Sequence, residues 1–127
     1  MPHHVSKTRF AELVERAIDE LPGQFRAFIE ECPVEVKTRP SRKLLKSMGL
    51  AEDELLMGLY TGQALTERTA EGESGQLPAR ITIFQEDVEL CADSEADLVR
   101  EVRITLLHEL GHHFGLDEQD LENLGYG

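Results

Sequence analysis

Apolar residues recur at helical spacing from the start of the chain. Phe10, Leu13, Val14, Ala17, Ile18 and Leu21 share one face of a helix over residues 6–21, with Ser6 as its N-cap and Leu21-Pro22-Gly23 as its end. A shorter helical stretch over residues 24–31 turns Phe25, Phe28 and Ile29 inward. The period then drops to two in Pro33-Val34-Glu35-Val36-Lys37, a half-buried strand that Arg39-Pro40-Ser41 breaks. Residues 42–54 pass from basic to acidic with intermittent apolar positions, which fits a loop with a helical turn. Leu56–Thr61 reads as a short strand, with Gly62 allowing a turn or a close backbone approach. Turn formers fill residues 71–78, and the β-branched and aromatic run from Ala79 to Glu86 is the best strand in the chain.

A long helix follows. Asp93 or Ser94 can cap it, with Asp97 three residues after Ser94 as a relative of the capping box. Val99, Val102, Leu106, Leu110 and Phe114 form its apolar stripe. His108 and His112 are each two positions from stripe members, about 200° round the axis, so the pattern predicts histidines on the side away from the core. Residues 118–124 suggest a last short helix ending at Gly125.

With 40% hydrophobic and 30% charged residues, the 127 positions fit one soluble globular domain over residues 1–127. No apolar run approaches the ~18 residues of a membrane span. Met1 to Lys7 has no apolar signal-peptide core, so the expectation is a cytoplasmic protein without a membrane partner, monomeric by default. A net charge of −12 disfavours nucleic acid as a partner. Charge is nonetheless segregated: Arg39, Arg42, Lys43 and Lys46 cluster, while Glu86 to Asp97 carries six acids and no base. Both runs read as solvated faces. Cys32 and Cys91 read as buried reduced thiols, and His3 and His4 as bystanders at a frayed terminus.

The chemistry concentrates in His108-Glu109-Leu110-Gly111-His112. On a helix this spacing sets two imidazoles about 40° apart on neighbouring turns, so both reach one point. A zinc ion at ~2.0–2.1 Å from each ring nitrogen can bridge them. Glu109, about 100° round from the first histidine, is a candidate base for an activated water. Gly115 lets the chain leave the helix with positive φ, and that turn can bring Glu118 or Asp117 back as a third ligand. His113 points about 100° away from His112 and reads as a non-ligand. A helix ending in solvated histidines would also suit the macrodipole, but a glycine at the motif's offset makes coincidence rarer. Two histidines and a carboxylate hold zinc, and ligand softness also admits Fe, Mn or Ni.

His108-Glu-x-x-His112-x-x-Gly115-x-x-Glu118 resembles the extended zinc motif of the metzincin metallopeptidases, with an acid where their third histidine stands. The metzincin methionine turn has no counterpart, since Met1, Met48 and Met57 all precede the motif. Together with residues 56–62, 77–84 and 108–125, the chain more closely resembles the bacterial minimal-zincin metallopeptidases over roughly its last two-thirds. That resemblance implies an α+β fold: a small zincin-like sheet packed on helices, with a long active-site helix near the C-terminus. It implies His108 and His112 as zinc ligands, Glu109 as general base, and Glu118 as third ligand at the motif's offset. Asp117 is the alternative, standing also where an N-cap of the last helix would. In such folds an edge strand pairs with an extended peptide substrate. The implied function is zinc-dependent hydrolysis of peptide bonds in peptide or protein substrates. The alternative is a metal-binding regulatory or interaction module of the same fold with little or no peptidase activity.

Overall fold

Ser6 opens the first helix as its position predicts: its Oγ accepts the Arg9 N–H at 3.0 Å, and α1 runs Lys7–Asp19. The computed structural model describes residues 2–62 and 79–113 and Gln119, apart from the side chains of Glu31, His112 and His113. Helix α2 (Gly23–Glu31) buries Phe25, and strand β1 covers Val34–Lys37. The basic stretch forms a true helix, α3 (Arg42–Ser47), because Ser41 Oγ accepts the Leu44 N–H at 3.0 Å and caps it. Strands β2 (Gly58–Thr61) and β3 (Arg80–Phe84) lie within the two predicted strand segments. Helices α4 (Gln85–Leu90) and α5 (Glu95–His113) complete the α+β order. The loop predicted over residues 71–78 and the last short helix lie outside the described residues.

The sheet order is β1-β3-β2, with β1 parallel and β2 antiparallel to the central β3. Register decides which residues meet the helices. Ile81 and Ile83 pair with Val34 and Val36 on one side and with Tyr60 and Gly58 on the other, forming the inner face. Arg80, Thr82 and Phe84, with Glu35, Lys37, Leu59 and Thr61, occupy the outer face. Phe10, Leu13 and Ala17 of α1 join Leu98, Val102, Leu106 and Leu110 of α5 against Ile81 and Ile83 in one core cluster. Ion pairs clamp these two helices side by side in the same direction: Arg9 to Glu95 at 2.6 Å and Arg103 to Glu20 at 2.6 Å. Hydrogen bonding to Glu95 raises the Arg9 guanidinium above its ordinary pKa, and Arg9 in turn lowers Glu95.

The acidic run over residues 86–97 is not simply a solvated face. Helix α4 turns two of its acids inward, Asp87 (6% exposed) and Glu89 (3%). Asp87 Oδ2 accepts the Leu56 N–H at 2.8 Å and so pins the segment leading into β2. Burial pushes the Asp87 carboxyl up, and that hydrogen bond only partly opposes it. Glu89 accepts the Val5 N–H at 2.9 Å and lies 3.0 Å from His4 Nδ1 and 3.1 Å from the donating Gln85 Nε2. With the His3 N–H donating to the Glu89 carbonyl at 3.2 Å, the N-terminal residues are strapped to α4 rather than frayed. The physical reason is the cost of an unpaired buried carboxylate, which recruits every nearby donor. Cys32 is buried as expected, whereas Cys91, just past α4, is exposed; neither is in a disulfide.

Burial alone would push the Glu89 carboxyl up; the bonds from Val5, His4 and Gln85 outweigh it and hold the group below its ordinary value of 4.5. Glu89→Gln is therefore expected to lower the unfolding free energy by about 1.5–3 kcal/mol near neutral pH, measured by urea denaturation. A lowered folded pKa stabilises above the unfolded value. The deficit should thus be full above pH 4.5 and disappear as pH falls through the lower folded value.

Candidate active site on the last long helix

Helix α5 starts on a reciprocal cap. The Asp97 N–H donates to Ser94 Oγ at 3.1 Å, and the Asp93 N–H donates to Asp97 Oδ2 at 3.1 Å. From there the helix is continuous to His113, so the backbones of His108 and His112 lie on one unbroken element. Positions four apart on such a helix share a face.

The predicted stripe is buried at Val99, Val102, Leu106 and Leu110, while Phe114 lies outside the described residues. Leu98, Thr105 and Leu107 are buried as well, so at about 100° per residue more than half the circumference is covered. The expected placement away from the core is tested at His108 alone, since the side chain of His112 lies outside the described residues. His108 is half-buried, with Nε2 shielded from solvent. The reason is that α5 is wedged between two partners: Arg103 faces α1, whereas Thr105 and Glu109, four residues apart, face β2.

That second contact is close. A Cβ on Gly58 would collide with Thr105 Cγ2 and would sit 3.3 Å from the Thr82 carbonyl oxygen and 3.4 Å from Ile83 Cδ1. Glycine at this strand position lets the helix approach the sheet. Gly62 makes the approach predicted for it: its φ is +119°, and a Cβ there would meet Ala79 Cα at 2.7 Å. Thr105 turns its hydroxyl the other way, donating to the Glu101 carbonyl at 2.8 Å, and so presents its methyl to Gly58.

Glu109 Oε1 accepts the backbone N–H of Tyr60 at 2.8 Å. Strand register explains why that donor points toward it. The Phe84 N–H donates to the Met57 carbonyl at 2.9 Å. By the alternation of an antiparallel pair, Leu59 and Thr61 then turn their backbone groups toward β3, and Gly58 and Tyr60 turn theirs to the other edge of β2. The Glu109 carboxylate therefore sits on that edge. Sequence reading identified Glu109 but missed its partner, because a backbone donor leaves no trace in side-chain identity. The glycine at position 58 inside an apolar run was the available signal of close approach.

The structure thus brings Glu109 to the edge of β2 and places His108 beside it on the same helix. The side chain of His112, and Asp117 and Glu118 entirely, lie outside the described residues. Among the described residues no three His, Cys, Asp or Glu side chains gather to hold a metal. Of the side chains expected to hold zinc, the described residues include His108 alone. An imidazole whose outer nitrogen is shielded from solvent stands on a helix that carries a second histidine one turn on, and Glu109 is held aside by Tyr60. Among the described residues no helix is long and apolar enough to cross a membrane.

The family model of zincin-like metallopeptidases matches residues 29–127, well over half the chain, including β1, β2, β3 and α5. The chain belongs to that family, and zinc binding is general to it. No curated protein matches the chain.

Gly58→Ala is expected to push α5 off β2 and to destabilise the protein by about 1–3 kcal/mol in urea denaturation. Thr105→Ser removes the colliding methyl but keeps the hydroxyl, and the double variant should recover most of the loss. A double variant as unstable as Gly58→Ala would show that the contact is not the cause.

Proposed function

We propose that this zincin-like metallopeptidase is a zinc-dependent peptidase in which Glu109 is the general base. His108 and His112 hold the metal, with Glu118 as third ligand and Asp117 as the alternative. The observation that carries the reading is the hydrogen bond from Tyr60 N–H to Glu109 Oε1, which sets a carboxylate at the edge of a strand beside a histidine of the same helix. Zinc, when bound, supplies a Lewis acid that lowers the pKa of water and polarises a carbonyl.

The chain's own residues supply the rest. With Oε1 held by Tyr60, Oε2 of Glu109 is the oxygen that takes the proton of the attacking water and passes it to the departing amine. An extended peptide can add to the outer edge of β2 through the N–H and C=O of Gly58, while the Tyr60 N–H holds Glu109. This lays the scissile carbonyl alongside Glu109. The substrates implied are peptides or unfolded protein segments able to become extended.

Glu109→Gln keeps the hydrogen-bond acceptor but cannot take the proton. It should retain zinc and lower cleavage of a peptide library by about 10²–10⁴-fold. Cleavage at the wild-type rate would refute the mechanism. Metal analysis by mass spectrometry should give one zinc per wild-type chain, lost in His108→Ala, in His112→Ala, and in one of Glu118→Ala and Asp117→Ala. Retention of zinc in His108→Ala would refute the ligand set.

A further inference from the structure

The outer face of the sheet, on the other side from α5, carries a cavity of about 240 Å³. Leu44, Leu59 and Phe84 give it apolar walls, and Lys37, Arg39 and Arg80 bring three cations to it. In a chain of net charge −12 this concentration is unusual, and it continues into exposed Arg42, Lys43 and Lys46 of α3. No acid interrupts residues 36–51.

Two features make the cavity more than a solvated basic face. The first is Glu35, which is held in place: its Oε1 accepts the hydroxyl of buried Thr82 at 2.8 Å and lies 3.7 Å from Arg80 Nε and 4.0 Å from Lys37 Nζ. One carboxylate thus positions two cations, while Arg39 has no ion pair among the described residues. The second is Thr61, which lines the cavity and whose Oγ1 is shielded from solvent and without a hydrogen-bond partner among the described residues. A buried hydroxyl left unmade costs free energy, about 1–3 kcal/mol, which a ligand atom can recover.

We propose that this outer-face cavity is a docking site for acidic peptide segments, separate from the α5 site. A cavity of this size falls below the ~300–1,000 Å³ of drug-sized pockets and suits one or two side chains. An Asp or Glu side chain brings a carboxylate to Arg39 and Arg80 and an acceptor to the Thr61 hydroxyl. The peptide's own N–H groups can donate to Glu35. A nucleic-acid backbone brings phosphate and no N–H donor to that carboxylate, whereas a peptide backbone brings N–H groups alongside its acidic side chain. That combination therefore selects a peptide.

Fluorescence anisotropy of a labelled Glu-rich peptide tests this. Wild-type protein should bind it, more weakly as salt is raised. Arg39→Glu combined with Arg80→Gln should weaken binding at least about tenfold. Thr61→Val offers an independent arm: it should weaken binding severalfold while leaving the melting temperature unchanged or higher, because it removes an unpaired buried hydroxyl. A structural role alone would not separate those two readouts. Absence of binding to wild type, equal binding by the charge variant, or tighter binding of a labelled oligonucleotide than of the peptide would each overturn the proposal.

Discussion

The proposed active site depends on one contact: helix α5 lying directly against strand β2. Two features make it possible. Gly58 removes the side chain that would stand where Thr105 sits, and the Tyr60 N–H donates to Glu109 at 2.8 Å. The first permits the approach and the second fixes its register, since a carboxylate hydrogen bond to a strand amide is directional and strong. The edge-pointing amides of β2 follow from its pairing with β3, so the position of Glu109 traces back through the strand to the centre of the sheet.

Electrostatics elsewhere serves placement as well. Asp87 and Glu89 are acids that composition alone would put on the surface, yet they hold the segment entering β2 and the N-terminal strap. Arg9–Glu95 and Arg103–Glu20 align α1 with α5, although exposed pairs contribute little individually and their value is orientation. The two faces of the sheet then diverge. The inner face carries the core and, at the β2 edge, Glu109; the outer face collects the cations around Glu35.

Helix periodicity made α1, α2 and α5 legible, and alternation made the strands legible, because one-sided burial imposes those periods directly. Ser6, Ser41 and Ser94 all cap helices, although the sequence alone leaves Asp93 equal to Ser94 and shows only a helical turn after Ser41. Helix α4 was hidden inside the acidic run, since its buried face uses Asp87 and Glu89, whose burial depends on donors from Leu56, Val5 and His4 far away in sequence. The side of α5 that meets β2 was hidden for a related reason. It is covered through Thr105 and Glu109, polar residues that no hydrophobic stripe records. At the candidate site, the motif named Glu109 and the histidines from sequence, whereas the tie to Tyr60 needed three-dimensional register.

Hydrogen exchange at the amide of Tyr60, followed by NMR, tests the α5–β2 contact most directly. In the wild type this amide should be protected even though it points away from β3. In Glu109→Ala it should exchange at least about tenfold faster, as expected when a hydrogen bond worth ~1.5–3 kcal/mol is removed. The Leu59 and Thr61 amides, directed at β3, should keep their protection. Equal protection of Tyr60 in both proteins, or an unprotected Tyr60 in the wild type, would contradict the account.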